Sequence, residues 1–150
     1  MRSCARAGEI SVWVIDSSVA LALVLPDERS NRAEALLRSR RRSTLIAPPL
    51  WLYETANALA VAVRRRRLME SALSEAFELL EALAVEIDGR VDATLSRAVQ
   101  ALALATELSA YDAAYLELAE RRAPARLGTL DDQLARVAAS RGIRGLLPRR

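Results

Sequence analysis

Short runs of β-branched and apolar residues alternate with longer segments of helical periodicity along the whole chain, and this alternation constrains the fold more than any other feature. The stretch 11–15, "SVWVI", reads as a buried strand, and further strands are predicted over 44–48, 84–88, 125–130 and 143–147. Helices are predicted between them, over 17–24, 27–42, 50–66, 70–83, 92–108, 109–122 and 131–141. Pro26 stops the first helix, and Pro48 with Pro49 suits the entry to the third. Strands joined by helical crossovers pair in parallel, so the pattern implies an α/β fold with a mostly parallel sheet and helices on both faces. No composition break or repeat divides the 150 residues, enough for one domain with a good core. Residues 12–150 are therefore expected to form that domain, and 1–11 a disordered N-terminal extension.

Absences narrow the chemistry. The chain has no His, no Lys and a single Cys, Cys4. Ser-His-Asp and Cys-His catalysis, Schiff-base lysines, the usual zinc sites and the P-loop are thereby excluded. Any enzymatic chemistry must come from carboxylates, hydroxyls, arginines or a bound cofactor. No apolar run approaches the roughly 20 residues that cross a bilayer, and no signal core opens the chain, so a cytoplasmic protein without membrane contact is expected. All 22 basic residues are Arg, clustered at 38–42, 64–67, 121–122 and 149–150. With a pI near 9.7, these clusters suit a polyanionic partner, although each also serves as an ordinary solvated surface.

In open parallel sheets the site lies beyond the carboxyl ends of the strands. Asp16 closes the first strand, and Thr129 and Asp131 close the fourth. Two further acids stand near helix starts among apolar neighbours. Glu54 has Leu50, Trp51, Ala58 and Val61 on its face, with Asn57 one turn on, and Asp112 has Leu108, Tyr115, Leu116 and Ala119. Local roles compete: Asp16 and Asp131 have N-cap positions, and Ser109 with Asp112 has capping-box spacing. Taken together, four such acids can converge on one edge of the sheet, where they could not all ionise unaided. A divalent cation relieves that repulsion, and an all-oxygen site suits Mg²⁺ or Mn²⁺ and phosphodiester hydrolysis.

Four ordered segments, "VIDSSVALALVLPDE", "APPLWLYETANAL", "LSAYDAAYLELAERR" and "LGTLDDQLARVAASRGI", resemble the PIN-domain family, in particular VapC-type toxins of bacterial toxin–antitoxin pairs. The resemblance runs from about Val12 to Leu147. It implies a three-layer α/β/α sandwich and a ribonuclease dependent on one or two Mg²⁺ or Mn²⁺ ions. Carried over by motif, Asp16, Glu54, Asp112 and Asp131 would form the acidic quartet, with Asp16 and Asp112 in direct metal contact. Ser17, Thr129, Asn57 and the doubled acid Asp132 would support it, and Arg64, Arg65, Arg66 and Arg67 would track RNA phosphates. The resemblance further implies a VapB-like antitoxin lying near helix 50–66, and a homodimer.

Two other readings compete. A phosphatase or phosphoacceptor domain also places Asp at the end of a parallel strand. Here Ser18 occupies the position where a dehalogenase-like phosphatase needs a second Asp, and the Lys such folds use is absent. A catalytically inactive PIN-like module that binds RNA or antitoxin is the non-enzymatic alternative.

Overall fold

The structure, a computed structural model, describes residues 10–38 and 42–146. Most of the expected N-terminal extension, part of the arginine run at 38–42 and the terminal arginines lie outside these residues. Among the described residues, four strands form one sheet: β1 (Ser11–Ile15), β2 (Ser43–Ala47), β3 (Glu86–Ile87) and β4 (Arg126–Gly128). Their order is β3-β2-β1-β4 and every pairing is parallel. The helices are α1 (Ser17–Val24), α2 (Asn31–Arg38), α3 (Leu50–Arg64), α4 (Leu73–Ala82), α5 (Ala93–Thr106), α6 (Ala110–Arg121) and α7 (Asp132–Ser140).

Side-chain alternation along β1 splits the interior into two layers. Trp13 and Ile15 pack with Leu45 against Ala33 and Leu36 of α2. Val14 and Ile46 face the larger cluster, built from α3, α4, α6 and α7 through residues such as Leu59, Leu80, Leu116 and Leu134. α1 gives Val19 and Ala22 to the first cluster and Ala20, Leu21 and Val24 to the second, which explains its nearly all-apolar sequence. The expected three-layer α/β/α sandwich is present.

Several boundaries differ from those expected, and three of the differences have a clear physical reason. The second helix begins at Asn31 rather than 27, because Pro26–Glu28 forms a 3₁₀ turn whose acids Asp27 and Glu28 are held by Arg67. The third strand shrinks to two residues, since α4 ends at Ala82 and Ala84 turns through a positive φ of 50°. The expected last strand is reduced, among the described residues, to one parallel bridge between Gly145 and Leu127. A Cβ at Gly145 would meet the Leu127 carbonyl oxygen at 2.7 Å, so only glycine allows that approach.

Candidate active site

The carboxyl end of β1 runs directly into α1, and Asp16 occupies the junction. Its backbone is extended, as an N-cap requires, and its Oδ1 accepts from the Val19 amide at 3.3 Å. The capping role allowed by the sequence is therefore real, yet it uses only part of the group. Ser18 Oγ donates to the same oxygen at 2.5 Å, and Thr129 Oγ1 donates to Oδ2. The Asp16 amide donates to the Gly128 carbonyl at 3.1 Å, which ties the ends of β1 and β4 together. Beyond β4 the loop is fastened back: the Leu130 amide donates to Ser18 Oγ at 2.9 Å and the Asp131 amide to Thr129 Oγ1 at 3.0 Å.

This lattice leaves Asp16 7% exposed and Thr129 2% exposed. Burial raises the Asp16 pKa from 3.8 to about 6, against the opposing hydrogen bonds from Ser18, Thr129 and Val19; the nearby charge of Glu54 raises it further. An N-cap alone needs no such burial. A strand-end carboxylate kept from water beside a second carboxylate has the electrostatic signature of a functional site.

Glu54, half-buried on α3, is held by α6. The Tyr115 hydroxyl donates to Glu54 Oε2, and Tyr115 itself is buried. Burial, the bond to Glu54 and the charges of Glu54 and Asp16 all push the phenol well above its ordinary pKa, while the Ser17 backbone amide acts in the opposite sense. Tyr115 therefore stays protonated and holds Glu54, with the Asp16 charge close enough to be felt. Sequence reasoning misses this residue, which reads only as an apolar neighbour of Asp112. Its spacing, one turn after Asp112, is the available signal.

The other expected residues take different places. Asp112 is half-buried one turn before Tyr115. Ser109 Oγ donates to its Oδ2 at 2.6 Å, and its own amide donates back at 3.1 Å, so the capping interaction suggested by the spacing is present. Asp131 is exposed and caps α7, accepting from the Leu134 amide at 2.7 Å. Asp132, the first residue of α7, is exposed and lines a separate cleft under α7. Asn57 is exposed and makes no hydrogen bond to Glu54 or Asp16 among the described residues.

Of the two serines after Asp16, the hydroxyl that reaches its carboxylate is that of Ser18, because the first helical turn returns residue i+2 toward the cap. Ser17 contributes its backbone amide, toward Tyr115. Arg64, Arg65 and Arg66 are exposed at the end of α3, whereas Arg67 is engaged by Asp27 at 2.7 Å and Glu28 at 2.6 Å.

Among the described residues, no three acidic side chains lie close enough to share one metal ion. The Asp16–Glu54 pair nevertheless fits a small hard cation. Its donors are all oxygen, Mg²⁺ is often held by one or two carboxylates with water and phosphate completing the shell, and a cation would offset both the burial that chiefly raises the Asp16 pKa and the smaller repulsion from Glu54.

Residues 13–140 match the family model for the PIN domain. The chain belongs to the PIN-domain family. Within it, the chain is 39% identical over 127 residues to Ribonuclease VapC3 of Pyrobaculum aerophilum, covering 81% of this chain and 91% of that protein, which supports the VapC-type resemblance. The crystal structure of PAE2754 from Pyrobaculum aerophilum shares the fold of this PIN domain, with a TM-score of 0.67, 22% identity and 93% coverage of both chains. In this PIN domain the strand-end acid with its two hydroxyl donors, and the nearby Tyr115-bound glutamate, form the polar centre.

Proposed function

We propose that this PIN domain is a divalent-metal-dependent endoribonuclease, the toxin of a toxin–antitoxin pair. The observation that carries the reading is the buried Asp16 carboxylate, raised toward neutral pH beside Glu54 at the carboxyl edge of a PIN-domain sheet. Asp16 and Glu54 would hold Mg²⁺ or Mn²⁺, with Asp112 and Asp131 completing the site through water. A bound divalent ion supplies charge neutralisation on the phosphate and acidifies a water molecule.

The chain's own residues do the positioning. Ser18 and Thr129 fix both oxygens of Asp16 in one orientation, and Tyr115 fixes Glu54, so neither carboxylate must reorganise when substrate arrives. Burial keeps bulk water from Asp16, which strengthens its interaction with any cation or phosphoryl group. Arg64, Arg65 and Arg66 at the end of α3 would meet RNA phosphates. A VapB-like antitoxin would lie across the exposed Leu52 and Tyr53 of α3 and block the acids, and the toxin would act as a cytoplasmic homodimer. No described helix is long and apolar enough to cross a membrane.

RNA cleavage with Mg²⁺ or Mn²⁺ tests the proposal. It should vanish in chelator and in Asp16→Asn, and persistence under either condition would sink it. The engagement of Asp112 and Asp131 in helix caps favours the second reading, a PIN-like module that binds RNA or antitoxin without cutting. Calorimetric titration separates the two: RNA binding with no divalent-ion binding by the free protein would support the inactive module.

A further inference from the structure

A cleft of about 970 Å³ opens on the far side of β4, between α7, the segment after it and the start of α2. Four arginines line it, Arg32, Arg126, Arg136 and Arg144, against a single carboxylate, Asp132. None of the four makes an ion pair among the described residues, whereas Arg38, Arg67, Arg121 and Arg141 elsewhere in the fold each pair with Asp or Glu. Arg136 Nε reaches only the Asp132 backbone carbonyl, at 3.1 Å. Arg126 lies over the Trp13 ring, 5.4 Å from its centroid, a cation–π contact. The Nε of Arg32 is buried with no hydrogen-bond partner, a costly state for a charged donor.

The walls are rigid. Leu127 N–H donates to the Arg144 carbonyl at 3.0 Å, and the close approach of Gly145 to β4 fixes the same segment. Four arginines lining one cleft against a single carboxylate call for an anion with several oxygens, and the planar fork of Arg matches phosphate. The cleft is also near the acids. Thr129, which holds Asp16, and Asp132, on the cleft wall, are three residues apart, no more than about 11 Å of chain.

We propose that this cleft is a phosphate subsite that grips the RNA backbone a few nucleotides from the scissile bond. It deepens the ribonuclease reading and rests on it for the identity of the polymer. It is distinct from the Arg64–Arg67 run, which lies at the end of α3.

The test uses the full chain carrying Asp16→Asn, in chelator, with a fluorescent single-stranded RNA measured by anisotropy across a salt series. Adding Arg136→Ala with Arg144→Ala, both exposed, should weaken binding at least tenfold and flatten the log–log salt slope by about 1.4, from two lost phosphate contacts at about 0.7 each. Arg29→Ala with Arg97→Ala, exposed and outside the cleft, removes the same charge and should leave the slope nearly unchanged. Equal effects of the two pairs, or an unchanged slope in the cleft pair with its circular dichroism intact, would overturn the subsite. Arg32→Gln gives a second reading from the interior of the cleft, and its slope should fall as well.

Pyrophosphate is titrated in parallel. Cleft-dependent pyrophosphate binding with no change in the RNA slope also overturns the proposal, because the cleft then serves a free phosphate. Cleavage by the otherwise unaltered chain is scored separately. Cleavage with an unaffected slope sinks the subsite alone, while a cleft-dependent slope without cleavage sinks the nuclease reading and leaves the cleft's RNA contact standing.

Discussion

Replacing Asp16 with Asn keeps the shape of the side chain and removes its charge. Asn caps a helix as well as Asp does, so the substitution separates the capping role from the electrostatic one. In the folded protein the Asp16 carboxyl titrates near 6, against 3.8 for the free group. Between about pH 4 and pH 6 the native state therefore keeps a proton that the unfolded chain has released. Stability falls as pH rises through that window, and the full loss is present above 6.

At about 1.4 kcal/mol per pH unit, the ionised carboxylate costs the fold about 3 kcal/mol at pH 7. Asp16→Asn would return most of this. The new amide NH₂ must face Thr129 Oγ1, which already accepts from the Asp131 amide, and turning that hydroxyl costs about 1 kcal/mol. A net gain of about 2 kcal/mol remains, a rise in Tm of about 4–8 °C for a chain of this length. The assay is thermal and urea unfolding of both proteins in chelator at pH 4.5 and pH 7. The gap should be small at pH 4.5 and wide at pH 7. Saturating Mg²⁺ should close it by stabilising only the protein that retains Asp16, by about 2.7 kcal/mol at a hundred times Kd. A lower Tm for Asp16→Asn at pH 7, or a gap independent of pH, would refute the reasoning and reduce Asp16 to a helix cap.

Thr129→Val removes one donor from the buried carboxylate. Stability at pH 7 should drop by about 1.5–3 kcal/mol, and carboxyl NMR titration should place the Asp16 pKa above 6, since a bond that lowered it is gone. Tyr115→Phe keeps the buried ring and strips Glu54 of its donor. Cleavage and divalent-ion affinity should fall by about 10–100-fold, the usual effect of losing a group that orients a metal ligand, and unchanged affinity in a calorimetric titration would count against that role. Gly145→Ala puts a Cβ into the Leu127 carbonyl. Hydrogen exchange should then show the Leu127 amide losing protection while the amides of β1 keep theirs.

The parts of the site that are local in the chain were legible. A β-branched run ending in Asp announces both the strand and the acid at its carboxyl end, because strand period and cap chemistry are set by adjacent residues. The same holds for Ser109 with Asp112, and for Asp131 at the head of α7. One boundary that moved was set by a distant partner: Arg67 holds Asp27 and Glu28 from 40 and 39 residues away, and the start of α2 moves accordingly.

Sequence by itself determined the parallel α/β architecture, the absence of His and Lys from any chemistry the chain performs, and the strand-end position of Asp16. Tertiary structure alone decided which groups meet. Glu54 and Tyr115 are 61 residues apart, and Thr129 is 113 from Asp16. A tyrosine on an apolar stripe reads as core until packing shows where its hydroxyl points. Only the packing of α6 against the sheet aims it at a carboxylate on α3, and the closure of β4 onto β1 helps bury Asp16 deeply enough to lift its pKa. Desolvation is a property of the assembled fold, so no local pattern could have displayed it.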